Sequence, residues 1–399
     1  MKCLLVQPAF PIPNKSLNHK SFLPVGLLKV STWLRRQEAE VELAVGCSMP
    51  SFEPDEIYIT SLFTYWSSYV WDCVRFYRRS YPAAKIIVGG IYASLAPEHC
   101  LQSGCDEVHV GLHEQAEQCP PDYDLVETDF QILHASRGCV RRCAFCGTYR
   151  IEPEYTYKRT ITSEIEKRHL VFYDNNLLAN PHIKQLLTEL RDFRLEKRVV
   201  TAECQSGFDG RLLTPELACL LKAARFRNPR IAWDGPVEEE SEVRKQIQIL
   251  TEAGYAAKDI SVFMIFNHEL PPGDLRHKAE ACFHWGVQVA DCRFRPLDCF
   301  SDGYKPQAKQ QEPDEYYLYD VWTDEDVRAF RRLVRENNIC LRYRIPRDRY
   351  SKQLEGLSGI ERARMRRKLG LEDGTQRLTR EQLDELNRMW IAEALERAM

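Results

Sequence analysis

At roughly 100–200 residues per domain, a chain of 399 residues allows two to four domains and a core large enough to need no covalent staple. Its 44% hydrophobic and 28% charged residues, with a formal net charge of -3, exclude a mini-protein, a disordered or collagen-like chain and a bulk polyelectrolyte. The longest apolar stretches, such as residues 262–266, fall far short of the ~18 residues of a membrane-spanning helix, so no membrane partner is expected. The start Met1-Lys2-Cys3-Leu4-Leu5-Val6-Gln7 is too short for a signal sequence and stops at Pro8, and a cytosolic location is the expectation.

In chain order, residues 2–7 read as a strand, 25–36 as a helix, 41–45 and 56–61 as strands, 67–80 as a helix, and 85–90 and 107–111 as strands. Strands alternating with helices predict a parallel, Rossmann-like sheet over residues 1–125, with any ligand at the carboxyl ends of its strands. Val88-Gly89-Gly90-Ile91 lies at one such end, where missing side chains permit close approach by a ligand or by another chain segment. The Pro-rich, acidic run Cys119-Pro120-Pro121-Asp122-Tyr123-Asp124 marks a domain boundary.

A second alternating series follows. Strands are expected at residues 131–135, 169–173, 199–203, 230–233, 260–266 and 287–290, with helices at 180–194, 214–224, 239–253 and 273–285. Six βα units sharing one sheet predict an open, partial (βα)6 barrel over 126–300, and residues just after each strand are the ones to examine. The fold class is therefore α/β, completed by a helical extension over 301–399. Residues 301–319 read as a Tyr-rich loop and 323–337 as a helix capped by Thr323. Residues 341–380 carry twelve Lys/Arg against five Asp/Glu. Their basic and aromatic segment 342–368 suits either a solvated surface or nucleic-acid phosphates and bases. Leu383, Leu386, Met389, Trp390 and Ala394 recur at helical spacing in the tail.

Cysteine is the unusual component, at fifteen residues. An odd count in a reducing compartment argues against a disulfide framework and toward thiolate ligands, although most single cysteines serve as small buried hydrophobes. Spacing separates the two roles. Directly after the first barrel strand stands Ser136-Arg137-Gly138-Cys139-Val140-Arg141-Arg142-Cys143-Ala144-Phe145-Cys146-Gly147. Three thiols within eight residues can converge from one loop on a soft metal centre, and no second pair completes a zinc site. The flanking Arg137, Arg141 and Arg142 are expected to lower the thiol pKa values. Cys282, Cys292, Cys299 and Cys340 are irregularly spaced and read as structural thiols or a second centre.

The Cys-x3-Cys-x2-Cys spacing, with an aromatic residue before the third Cys on a loop after the first strand of a partial barrel, resembles the radical S-adenosylmethionine superfamily. The resemblance covers roughly 130–300. It implies a [4Fe–4S] cluster on Cys139, Cys143 and Cys146, whose open iron binds S-adenosylmethionine. The reduced cluster then cleaves this to a 5′-deoxyadenosyl radical that abstracts hydrogen from a substrate, with electrons from a donor such as flavodoxin or ferredoxin. It further implies Phe145, Ile265 and Asn267 near the adenine, and Tyr173, Asp174 and Asn175 around the methionyl amino group. Glu203 and Gln205 would serve the ribose or methionyl end, and Arg293 or Arg295 a carboxylate. Ahead of the triad, Pro24-x-Gly26-Leu27-Leu28 and Val88-Gly89-Gly90-Ile91-Tyr92-Ala93-Ser94 are similar to the cobalamin-binding domain of class B members, making cobalamin a candidate cofactor and methyl transfer a candidate reaction. The cobalt-ligand signature Asp-x-His-x-x-Gly is absent, since Asp106-Glu107-Val108-His109-Val110-Gly111 has another spacing and reads as a strand. The alternative class is a nucleic-acid-binding protein with a structural cluster, or a radical enzyme acting on nucleic acid.

Overall fold

The computed structural model describes residues 1–12, 22–343 and 347. Apart from Arg342, Tyr343 and Arg347, the basic segment 342–368 lies outside the described residues, as does the amphipathic tail. Residues 1–334 form one compact unit, and the second unit begins at Arg335.

The N-terminal sheet contains β1 (Lys2–Gln7), β2 (Glu40–Val45), β3 (Glu56–Ser61), β4 (Lys85–Gly90) and β5 (Glu107–Val108), all parallel and in the order β2-β1-β3-β4-β5. The strand order reverses between β1 and β3, and in doubly wound sheets that switch point is where a ligand binds. Buried on both faces, β1 has the near-continuous apolar run of a parallel strand. Cys3 and Leu5 pack with Leu27 and Leu34 of α1 (Val25–Arg35), while Leu4 and Val6 pack with Val70, Cys73, Val74 and Tyr77 of α2 (Ser67–Ser80).

The Gly89-Gly90 turn serves another chain segment. Gly90 has φ +99°, and a Cβ there would run into the backbone of Ser61. The Ser61 hydroxyl donates to Gly89 O at 2.8 Å and accepts from Ala93 N–H at 3.0 Å, so β3 and β4 are tied together at their carboxyl ends. β5 is shorter than the spacing predicts. It ends at Val108, and His109 follows it rather than lying in a strand, because β4 offers it only Ile87 and Val88 before the glycine turn.

The second layer has six parallel strands: β6 (Phe130–Leu133), β7 (His169–Phe172), β8 (Thr201–Cys204), β9 (Arg230–Ala232), β10 (Ser261–Phe266) and β11 (Gln288–Arg293). Every expected barrel strand is present, but one continuous sheet is not. The ladders run β8-β7-β6 and β9-β10-β11, joined by isolated bridges Ala202↔Phe226 and Phe208↔Ile231. The gap arises because residues 226 and 208 reach across from loops. Val199, expected in the third strand, instead closes a hairpin of Arg194–Leu195 with Arg198–Val199, whose turn residues Glu196 and Lys197 have φ 49° and 64°.

The helices α3 (Ile183–Asp192), α4 (Pro215–Ala223), α5 (Glu240–Glu252) and α6 (Pro272–His284) bury Leu186, Leu217, Ile247 and Leu275 in one core with Phe172, Met264 and Phe266. Thr214 caps α4, accepting from Leu217 N–H, and Pro215 follows at the first helical position. The final helix, α7 (Asp324–Tyr343), is longer than expected, and its cap is confirmed by the Asp326 N–H to Thr323 Oγ1 bond of 3.2 Å.

The sequence-level boundary near residue 125 divides two sheets but not two bodies. Leu28 of α1 packs with Phe130, Ile132 and Val171 of the barrel. The Pro120-Pro121 connection is strapped to α1 through Ser31 Oγ to Asp122 at 2.6 Å and the Arg35–Asp122 ion pair at 2.9 Å.

Candidate functional site

The cysteine loop leaves β6 through a short antiparallel pair, Ser136–Arg137 with Thr156–Tyr157, which closes its base. Gly138 turns it at φ +72°, where a Cβ would strike Glu154 O. Donors then point at the sulfurs. Arg141 N–H approaches Cys139 Sγ at 3.3 Å, Thr148 N–H approaches Cys146 Sγ at 3.5 Å, and Asn176 Nδ2 lies 3.8 Å from Cys139 Sγ. Burial pushes the Cys143 thiol up, as do its neighbours Cys146 and Cys139. Among the described residues no three His, Cys, Asp or Glu side chains are gathered tightly enough for a single ion. A cluster's thiolates each take a different iron, so they surround a body several atoms wide rather than a point.

The flanking arginines do not act as expected. Arg137 is held by Glu117 at 2.7 Å and Glu152 at 3.5 Å, and Arg141 by Asp209 at 2.9 Å, so their charges are spent on carboxylates. The cation that lowers the Cys143 thiol is Arg211. Asp209, nearly buried, bonds Arg211 at 2.8 Å, Arg141 at 2.9 Å and Asn176 at 3.2 Å. It thereby fixes the loop from the chain after β8. Lys29 of α1, 2.9 Å from Glu117, extends the same charge ladder from the N-terminal sheet to Arg137.

Several of the candidate residues converge on this mouth. The Phe145 ring lies 6.2 Å from His268, directly after β10, and His268 packs on Phe294 at 4.2 Å. Ile265 is half-buried on the β10 face opposite Val262, Met264 and Phe266. Asn175 bonds Thr148 at 3.4 Å beside Cys146. Glu203 pairs with Arg230 through one oxygen and leaves the other buried without a partner. Tyr173 is half-buried next to Glu203 and Arg230, and desolvation pushes its hydroxyl up to about 12. Gln205 follows β8, with its N–H on Phe172 O at 2.9 Å.

Three candidates are engaged by partners within the chain. Asp174 is fully buried, accepting from Ala135 N–H at 3.2 Å and bonding Ser136 Oγ at 2.6 Å, so it anchors the base of the loop instead of facing a ligand. Burial raises its carboxyl to about 6. Asn267 is also fully buried, at φ 59°, donating to Tyr317 O at 3.0 Å and accepting from Tyr319 N–H at 3.0 Å. Its amide holds the loop that covers the barrel edge. Arg293 is paired with Asp302 and stacked under Tyr304 at 4.5 Å. Cys282, Cys292 and Cys299 form no metal group among the described residues, and Cys282 simply packs in the core.

Asp234, two residues beyond β9, was not singled out from the sequence although it occupies a position after a barrel strand. One carboxylate oxygen is buried without a partner, and burial raises the group to about 6. Its companion Lys278 is fully buried, donates to Gly235 O at 2.9 Å and lies 5.1 Å from the Trp233 ring. Desolvation lowers Lys278 to about 8. Between pH 8 and 10.5 the unfolded chain therefore binds more protons than the folded one, and stability rises with pH across that window. In urea unfolding measured at pH 8 and pH 10.5, this rise is expected to shrink by about 3 kcal/mol in Lys278→Met. Equal rises in the two chains would refute the assignment.

The carboxyl ends of the two sheets face each other across this mouth. Gly147 lies against Leu95 and Leu297, where a Cβ would stand 3.1 and 3.6 Å from their methyls. Ser67 Oγ donates to Phe300 O at 2.8 Å, and Arg295 lies 4.1 Å from the Tyr65 ring. At the β1/β3 switch point, Phe10 stacks on Trp66 at 5.4 Å and Phe63 on Tyr65 at 5.0 Å, with Phe63 45% exposed.

This arrangement matches solved structures. One is the radical S-adenosylmethionine methyltransferase TsrM from Kitasatospora setae with cobalamin and a [4Fe–4S] cluster bound: TM-score 0.56 and 15% identity, over 78% of this chain and 79% of that chain. The chain has the fold of a radical S-adenosylmethionine methyltransferase. The same enzyme with tryptophan substrate and the analogue aza-SAM matches at TM-score 0.54 and 15% identity, over 75% of each chain. No protein-family model matches the chain, and neither does any curated protein. At 15% identity the likeness establishes the fold, while function rests on the residues at the site.

Proposed function

We propose that this chain is a radical S-adenosylmethionine enzyme that holds a [4Fe–4S] cluster on Cys139, Cys143 and Cys146, takes cobalamin between its two sheets and transfers a methyl group to an unactivated carbon. The observation that carries this reading is the placement of the cysteine loop at the carboxyl end of the first barrel strand, against Leu95 beyond β4 of the N-terminal sheet and Leu297 beyond β11. Bound together, these groups supply electron transfer to a sulfonium and a cobalt site for methyl exchange.

The residues present suit all three groups. The N–H groups of Arg141 and Thr148 approach the sulfurs of Cys139 and Cys146, which leaves both sulfurs oriented on the loop as cluster ligands would be. Buried oxygens of Glu203, Asp234 and Asn176 lack donors, which the ammonium and ribose hydroxyls of S-adenosylmethionine possess. Phe145, Ile265 and His268 offer apolar surface for an adenine, and Gln205 and Asn175 stand at the rim. The ring faces of Phe63, Tyr65 and Trp66 suit the flat corrin. Residues 1–125 would carry cobalamin and 126–300 the cluster, with a low-potential donor of the flavodoxin or ferredoxin type supplying electrons. The nucleic-acid reading is not favoured, because the fold matches that of a radical S-adenosylmethionine methyltransferase.

Protein prepared anaerobically with iron, sulfide and cobalamin is expected to retain the corrinoid through gel filtration. With a strong reductant it is expected to consume S-adenosylmethionine, read as S-adenosylhomocysteine or 5′-deoxyadenosine. Failure of both would overturn the proposal, and turnover without retained corrinoid would remove its cobalamin half.

A further inference from the structure

Two thiols remote from the cysteine loop are built into a pair. Cys47, exposed in the turn after β2, and Cys73, buried in the middle of α2, have their sulfurs 3.8 Å apart. Their approach is held in place from the same helix. One turn beyond Cys73, the Tyr77 hydroxyl is within hydrogen-bonding reach of Gly46 O at 3.1 Å and Ser48 O at 2.8 Å, the carbonyls on either side of Cys47. Gly46, at φ +69°, makes the turn that carries Cys47 back over α2. Cys47 also lines a cavity of about 580 Å³ shared with Asp72, Arg75, Phe76, Arg79 and Ser80. Asp72 is 4.0 Å from Arg75, so the two guanidinium groups exceed the one carboxylate and the cavity favours an anion.

We propose that Cys47 and Cys73 form a thiol-modification site for a small disulfide that carries carboxylates, with Cys47 the attacking thiol and Cys73 the resolving one. The Cys47 thiolate attacks one sulfur of the small disulfide, whose S–S bond breaks, forming a mixed disulfide and releasing one small thiol. Cys73 gives its proton to solvent and attacks the Cys47 sulfur, forming the Cys47–Cys73 bond and releasing the second small thiol. The protein dithiol loses two electrons and the small disulfide gains them. Closure brings the sulfurs from 3.8 Å to the ~2.05 Å of a disulfide, a shift the exposed turn at Cys47 can supply.

The test uses the reconstituted full-length protein, oxidised glutathione under anaerobic conditions, alkylation of remaining thiols and cleavage with a Glu-specific protease, which separates the two cysteines at Glu56. Wild type is expected to yield the cross-linked Cys47–Cys73 peptides. Cys73→Ser should stop at a glutathione adduct on Cys47, and Cys47→Ser should leave Cys73 unmodified. Undiminished alkylation of wild-type Cys47 would overturn the proposal, as would modification of Cys73 at the wild-type rate in Cys47→Ser. Tyr77→Phe, which touches neither sulfur, should slow closure and leave the first adduct unaffected; unchanged closure would refute the clamp. The anionic glutathione disulfide is expected to react several-fold faster than the cationic cystamine, and the Arg75→Gln/Arg79→Gln double variant to lose that preference. Equal rates in wild type would overturn the anionic-ligand half.

Discussion

A Cys143→Ala chain, reconstituted anaerobically with iron and sulfide, is expected to leave a desalting column colourless and with background iron, while wild type is brown. Cys143 is the middle of the three proposed ligands, and burial together with Cys146 and Cys139 raises its thiol. Three adjacent thiolates repel one another, so the positive charge of the irons must hold them ionised, and loading displaces protons. Wild-type loading should accordingly improve as pH rises through the thiol range. Wild-type iron content and absorbance in Cys143→Ala would reject the cluster assignment, whatever the enzymatic result. A Cys143→Ala chain that loses colour but keeps its unfolding transition would separate cluster loss from misfolding.

The second large effect concerns Asp174. In the superfamily pattern its position, at the end of the second barrel strand, points to the methionyl amino group. Its contacts point instead to the base of the cysteine loop, through Ala135 N–H and Ser136 Oγ. Asp174→Ala strands both partners in a buried site, and a buried polar group left unpaired costs about 1–3 kcal/mol. Asp174→Asn keeps an oxygen for Ala135 N–H and offers an amide to Ser136. It also removes a carboxylate that burial has raised to about 6 and that is therefore ionised at pH 7 against its preference. The Ala variant should unfold about 2–4 kcal/mol below the Asn variant in urea and load less cluster. S-adenosylmethionine affinity, measured by equilibrium dialysis on the folded, loaded fraction, should be alike in the two variants and in wild type. A ligand role would appear as a loss of about tenfold or more in Asp174→Asn, equivalent to about 1.4 kcal/mol.

Much of the architecture was legible because its signals are local. The apolar runs of β1, β6 and β10 and the period of α5 and α6 follow from burial on one or both faces, and their bounds fall within a few residues of the observed ones. The cysteine triad was legible as a candidate because its three thiols share one loop, so spacing alone reports their proximity along the chain. Glu203 and Ile265 were picked out as candidates because they lie in strands whose ends are predictable. Asp209, Arg211, His268 and Asp234 were not, since each comes from a loop whose course depends on what it packs against.

Side-chain commitment was the other hidden quantity. Asn267 and Arg293 have the right chemistry for a ligand, but Tyr317, Tyr319 and Asp302 claim them first, and those partners come from the irregular segment after residue 300. The Gly89-Gly90 turn carried the same ambiguity, settled by the proximity of Ser61.

The sequence by itself determined the alternation of strands and helices, the three clustered thiols and the lack of an Asp-x-His-x-x-Gly signature, because each is a property of neighbours along the chain. Only the tertiary structure decided that the two sheets form one unit with their carboxyl ends opposed, that Arg137 and Arg141 are paired with carboxylates, and that Cys47 meets Cys73. Those outcomes depend on pairs tens of residues or more apart, whose meeting is set by how faces pack and which charges find a partner first.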